Sequence, residues 1–151
     1  MLPRRSILVS LGAITLTGPA WANVRDSIFE LTNAVRAGQG ISTLELEPNL
    51  TQAAQGHAET MARLDELSHT AGGTNLASRV LATGYRFRRL AENIAYRSGP
   101  DDAMAARIME QWMGSPGHQA NILDTRLRQI GVGVSRSGAR TYAVQVFGTR
   151  A

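Results

Sequence analysis

The spacing of apolar positions outlines the chain before any other feature does. Val24, Ile28, Leu31 and Val35 lie four, three and four residues apart, one stripe of a helix that Gly38 and Gly40 close. A short extended link through Leu44 and Leu46 leads to Pro48 and Asn49. These introduce a second helical stripe of Leu50, Ala53, Ala54, His57, Ala58, Met61 and Leu64. Ser68 to Gly73 reads as a loop. Thr74 or Asn75 can cap a shorter helix carrying Leu76, Val80 and Leu81, and Gly84 is placed to stop it in the left-handed conformation. Phe87, Leu90 and Ile94 fall in a strand-biased stretch. Pro100 with Asp101 and Asp102 announces a helix through Trp112, the two carboxylates favouring its positive end. Ser115-Pro116 then opens a short helix to about Leu123, with the serine hydroxyl expected to cap it. From there the period drops to two. Ile130, Val132 and Val134 alternate, Ser137-Gly138 can turn, and Tyr142, Val144 and Val146 alternate again, which predicts an antiparallel hairpin. The order predicts an α+β domain in which helices cover an antiparallel sheet.

The 151 residues do not all belong to that domain. Residues 1–22 combine Arg4-Arg5, an apolar run from Ile7 to Leu16, and the small-residue site Ala20-Trp21-Ala22, the pattern of an export signal cleaved before Asn23. The Arg4-Arg5-Ser6-Ile7-Leu8 order resembles a twin-arginine signal; a general secretory signal is the alternative. The apolar run is too short to span a bilayer, so no transmembrane anchor is expected once the signal is removed. Residues 23–151 are then one domain, exported to the periplasm or the medium. Zero cysteines mean that packing alone must hold it together.

Charge changes the picture little. Every one of the 16 basic residues is arginine, and removing Arg4 and Arg5 leaves 14 against 12 carboxylates, a net +2. So weak a field does not imply nucleic-acid binding. Arg86, Arg88 and Arg89 form one local cluster, which reads as a solvated strand edge able to attract an anion or acidic lipid.

Three histidines bound the search for chemistry. His57 sits on an apolar stripe and reads as a core or rim residue. His69 lies in a loop where a side chain can be aimed freely. His118 occupies the first turn of the Ser115-Pro116 helix, where backbone amides favour a neutral, metal-binding imidazole. Glu92 stands among Leu90, Ala91, Ile94 and Ala95, and burying it there requires a cation, a histidine or a metal. His69, Glu92 and His118 could form the two-histidine, one-glutamate set of zinc enzymes, although their separations along the chain do not establish convergence. No cysteine nucleophile, G-x-S-x-G elbow or phosphate-cradling glycine loop is present.

The run W-x-x-S-P-G-H-x-x-N-I-L from Trp112 to Leu123, with Ala91-Glu92-Asn93-Ile94-Ala95 and Ser68-His69-Thr70, resembles the CAP superfamily, also called SCP-like or PR-1-like, in its bacterial branch. Asn33, Arg36, Gly84-Tyr85-Arg86 and Val144 to Gly148 extend the likeness over nearly the whole predicted domain. The resemblance implies a three-layer α-β-α sandwich with a central antiparallel sheet, and a cleft to which His69, Glu92 and His118 map. In eukaryotic relatives a second glutamate stands three residues after the tryptophan, where this chain has Ser115, and that lowers the charge of any metal site. Family members are linked to divalent-cation, lipid or sterol binding, to cell-wall interactions and to proteolysis, so the resemblance supplies a site more firmly than a reaction.

The expectation is therefore an exported binding module whose cleft holds a divalent cation, Zn2+ foremost, or a small polar ligand, with Asn93, Ser115 and Asn121 around it. The partner would be that ligand, a lipid or a cell-envelope component. The rival is a metal-dependent peptidase or cell-wall hydrolase using Glu92 and His118. Lipid or sterol carriage comes third.

Overall fold

A computed structural model describes residues 20–151 except Asp101, with side chains from Ala22 onward. The bulk of the expected export signal, residues 1–19, lies outside the described residues, as does Asp101. Helix α1 (Ala20–Gly38) already includes the expected cleavage point.

Helix α2 (Pro48–Leu64) begins where the sequence places it. Pro48 occupies the first helical position, and the carboxylate of Glu47 accepts the backbone N–H of Leu50 at 2.9 Å. Asp65 ends the helix in the left-handed conformation at φ 52°. Asn75 caps helix α3 (Leu76–Ala82) by accepting from Ser78 N, and Gly84 follows at φ +86°. Helix α4 (Met104–Met113) starts later than expected: Asp102 precedes its N-cap, Ala103, and no acid lies in its first turn, so the anticipated charge–dipole support is missing. Helix α5 (Pro116–Ile122) follows Ser115, whose hydroxyl makes no capping bond; only its carbonyl is used, accepting from Gln119 N at 2.9 Å. The expected hydroxyl cap is thus corrected to a backbone one.

Strands β1 (Glu45–Leu46), β2 (Phe87–Ser98), β3 (Gln129–Ser137) and β4 (Arg140–Arg150) form one sheet in the order β1-β3-β4-β2. The three long strands are antiparallel, as expected; the two-residue β1 joins β3 in parallel and makes the sheet mixed at that rim. Ile130, Val132 and Val134 of β3, with Ala143 and Phe147 of β4, turn to a core shared with α1, α4 and α5. Tyr142, Val144 and Val146 turn to the other face, against Leu50, Ala54, Ala58 and Met61 of α2. The result is an α-β-α sandwich.

Gly131 and Gly133 allow α2 to approach this closely. A Cβ at either position would fall inside the α2 backbone, at Leu50–Thr51 and Ala54–Gln55 respectively. On the opposite side, Arg36 is wholly buried and donates to the carbonyls of Ser42, Ile122 and Asp124 at 2.8–3.0 Å, fixing the turn after α5. No described helix is long and apolar enough to cross a membrane.

Candidate functional site

The site is built on β2, which forms one rim of the sheet. Alternation along this strand sends Glu92 toward α2 and Asn93 toward α1 and α5. Glu92 is buried, its side chain only 2% exposed, and both oxygens are engaged. Oε1 lies 2.8 Å from His69 Nδ1, and Oε2 accepts from Arg79 Nη2 at 2.6 Å. The cation and the histidine that a buried glutamate requires are both present.

Arg79 is the residue sequence reasoning missed. It rises from α3 and also donates through Nη1 to the carbonyls of His69 and Thr74, at 2.9 and 3.0 Å. One guanidinium therefore ties the loop that carries His69 to the carboxylate on the sheet. The only available signal was that Glu92 needed a cation; nothing in the sequence distinguished Arg79 from the other arginines.

Because a carboxylate has only acceptors, His69 donates its Nδ1 proton to Glu92, and in the neutral ring Nε2 carries the lone pair. Its side chain is 57% exposed. His57 stands behind this pair, fully buried, with Nε2 donating to Ser68 O at 2.9 Å and lying 4.0 Å from Glu92 Oε1. Its Nδ1 is buried without a partner. Burial pushes the His57 pKa down, while the Glu92 charge pulls the other way.

The W-x-x-S-P-G-H-x-x-N run closes the outer edge of β2. Trp112 Nε1 donates to Ile94 O at 3.1 Å, and Asn121 Nδ2 to Glu92 O at 3.3 Å and Asn93 Oδ1 at 2.9 Å. Asn93 donates in turn to His118 O at 3.1 Å and Gln145 Oε1 at 3.0 Å, and Gln145 continues to Thr32. This network, buried at Asn93, Gln145 and Thr32 and half-buried at Asn121, fixes α5, and with it His118, against the strand. The His118 pKa is lowered as expected, but burial is the main cause, followed by the nearby His69, rather than the helix end. Its Nδ1 is buried and unpartnered. Ser115, half-buried, makes no side-chain capping bond at the start of α5.

Among the described residues, no group of three or more His, Cys, Asp or Glu side chains is arranged to hold a metal ion. Glu92 gives the reason: with one oxygen on His69 and the other on Arg79, it stands behind His69 rather than beside it as a third donor.

A family model described as the Cysteine-rich secretory protein family, CAP, matches residues 29–147, spanning every element of this site. The chain belongs to the CAP family. Among its relatives, the "Uncharacterized membrane protein YlbC" of Bacillus subtilis (strain 168) is 34% identical over 112 residues, 72% of this chain and 31% of that protein. The "Uncharacterized protein YkwD" of the same organism is 30% identical over 114 residues, 74% of this chain and 42% of that protein. This CAP chain therefore spans less than half the length of these relatives. An extracellular protein containing an SCP domain, from Bacillus anthracis str. Ames, superposes with a TM-score of 0.76 at 26% identity, covering 89% of this chain and 45% of that one.

Proposed function

We propose that this CAP domain is an exported binding module whose cleft recognises a small ligand through the imidazoles of His69 and His118, with a divalent cation such as Zn2+ as the favoured occupant and a small polar molecule as the alternative. The observation that carries this reading is the Glu92 carboxylate. Held by Arg79, it accepts the Nδ1 proton of His69 and so makes Nε2 the basic nitrogen, the arrangement by which a carboxylate raises the donor strength of a metal-binding histidine. Burial keeps His118 neutral to lower pH, which suits the same role. A bound cation would supply a positive centre for an anionic or carbonyl-bearing partner. Two nitrogen donors, with Ser115 where relatives carry a second glutamate, hold such a cation weakly.

The same carboxylate argues against hydrolysis. A general base must reach the water it activates, and Glu92 is buried with both oxygens committed. Export through residues 1–22 belongs to this proposal and is supported by the extracellular SCP-domain neighbour. Lipid and cell-envelope partners are to be screened against the same cleft alongside the cation.

Calorimetric titration of Zn2+ tests the site. Saturable binding is expected, lost in a His69→Ala, His118→Ala double variant. Equal heats from both proteins would reject the site, and peptidase or peptidoglycan-cleaving activity abolished by Glu92→Gln in a folded protein would replace binding with catalysis.

A further inference from the structure

A second site lies where β2 begins and β4 ends. Arg88 and Arg89 of β2, Thr125, Arg126 and Arg128 of the segment between α5 and β3, and Thr149 of β4 line a cavity of about 510 Å³. Four of the lining residues are arginines, and the carboxylate beside them is Asp124. That carboxylate is already used, since Arg126 grips it through Nε and Nη2 at 2.9 and 3.0 Å. Arg128 turns to the carbonyls of Thr125 and Leu127. Among the described residues, Arg88 and Arg89 make no side-chain hydrogen bond or ion pair, although the Arg89 charge helps lower the Asp124 pKa.

The backbone is shaped to bring these charges together. Consecutive residues of a regular strand point to opposite faces, so Arg88 and Arg89 should diverge. Between Phe87 and Arg89 the register shifts: Phe87 stands opposite Arg150 and Arg89 opposite Thr149, leaving Arg88 without a partner. A bulge of this kind re-aims a side chain, and here both arginines line one cavity. The facing segment is held equally firmly. Arg36 binds the carbonyls of Ile122 and Asp124 from below, Thr149 Oγ1 donates to Arg126 O at 2.6 Å, Arg126 N donates to Asp124 Oδ1 at 2.9 Å, and Arg128 N donates to Gly148 O at 3.1 Å. Four like charges around one cavity make a positive potential that favours an anion there. Arg128 also acts on buried Arg36, whose pKa is lowered by burial first and by Arg128 next, with Asp124 opposing.

We infer that this pocket binds a phosphoryl group carried on a larger polar molecule, either a soluble phosphate ester or the headgroup of a phospholipid. Guanidinium forks match tetrahedral phosphate oxygens in pairs, and the cavity has room for more than the phosphate itself. The site is separate from the histidine cleft. Arg89 and Glu92 are three residues apart on β2, roughly 10 Å, and their side chains leave opposite faces of the sheet.

The test titrates the full chain with glycerol 3-phosphate, with inorganic phosphate, and with phosphatidylcholine vesicles with and without phosphatidylglycerol. Saturable binding of glycerol 3-phosphate identifies a soluble ester, and binding only to the vesicles containing phosphatidylglycerol identifies a headgroup. In either case an Arg88→Gln, Arg89→Gln variant should lose roughly tenfold or more in affinity, and Arg88→Lys, Arg89→Lys should recover only part, because it restores charge without the fork. Amide chemical-shift mapping on the unmodified protein guards against a variant that fails to fold: shifts should centre on residues 88–89 and 125–128. No binding to any probe, equal binding by the Gln variant, or shifts centred elsewhere would overturn the inference.

Discussion

Arg79 and Glu92 illustrate how much one residue pair can hold. Their side chains are 9% and 2% exposed, so neither charge has water to fall back on. Glu92→Ala would leave Arg79 desolvated and unpaired and would free the loop that carries His69. Chemical denaturation should show a loss of about 3–5 kcal/mol. Glu92→Gln keeps an acceptor for His69 but not the charge, and should weaken Zn2+ binding by about 10–100-fold while leaving the fold in place, as read by calorimetry. His57 governs the response to acid. Its folded pKa lies below its ordinary value of 6.5, so its contribution is complete above that pH and is lost as pH falls through the lower folded value. Protonation would place a hydrogen on the buried Nδ1, which has no acceptor. Thermal midpoints should therefore be level above about pH 7 and fall below it. His57→Gln, which can still donate to Ser68 O, should flatten part of that fall; an unchanged profile would exclude His57 as the sensor.

At the scale of elements, the fold was legible wherever a local rule sufficed. The α2 stripe, the Asn75 cap, the Gly84 stop and the hairpin turn at Gly138 are each set by neighbours in sequence, and each stands where the sequence puts it. What failed also has local causes. Ser115 looked like a side-chain cap, but its carbonyl alone serves α5, and Asp102 fell short of the first turn of α4. The bulge at Arg88 was invisible because strand alternation offers no mark of one extra residue. Arg79 was invisible because its partner lies 13 residues away on another element. Gly133 and Gly131 are a further case: read as strand residues, they gave no hint that a helix backbone occupies the space above them. Gly133→Ala should therefore cost about 1–3 kcal/mol or more by forcing α2 off the sheet, measurable by denaturant titration.

Across the whole molecule, the sheet divides two buried clusters and also organises the two candidate sites, the histidine–glutamate cluster at the middle of β2 and the arginine pocket at its start. Side chains interrupt both outer margins of that sheet. On one side the two-residue β1 covers Gln129 and Ile130 of β3, and Gln55 binds both the N–H and the carbonyl of Val134 beyond it. On the other, Trp112 and Asn121 occupy the Ile94 and Glu92 carbonyls that an incoming strand would need. The conspicuous W-x-x-S-P-G-H-x-x-N signature thus occupies two acceptors of an edge strand as well as positioning a histidine. A Trp112→Ala, Asn121→Ala protein, warmed gently below its unfolding transition, should scatter light and bind amyloid dyes while the parent stays clear. For a cysteine-free chain with no covalent crosslink to restrain it, that result would make the covered rim the safeguard that keeps transient opening reversible.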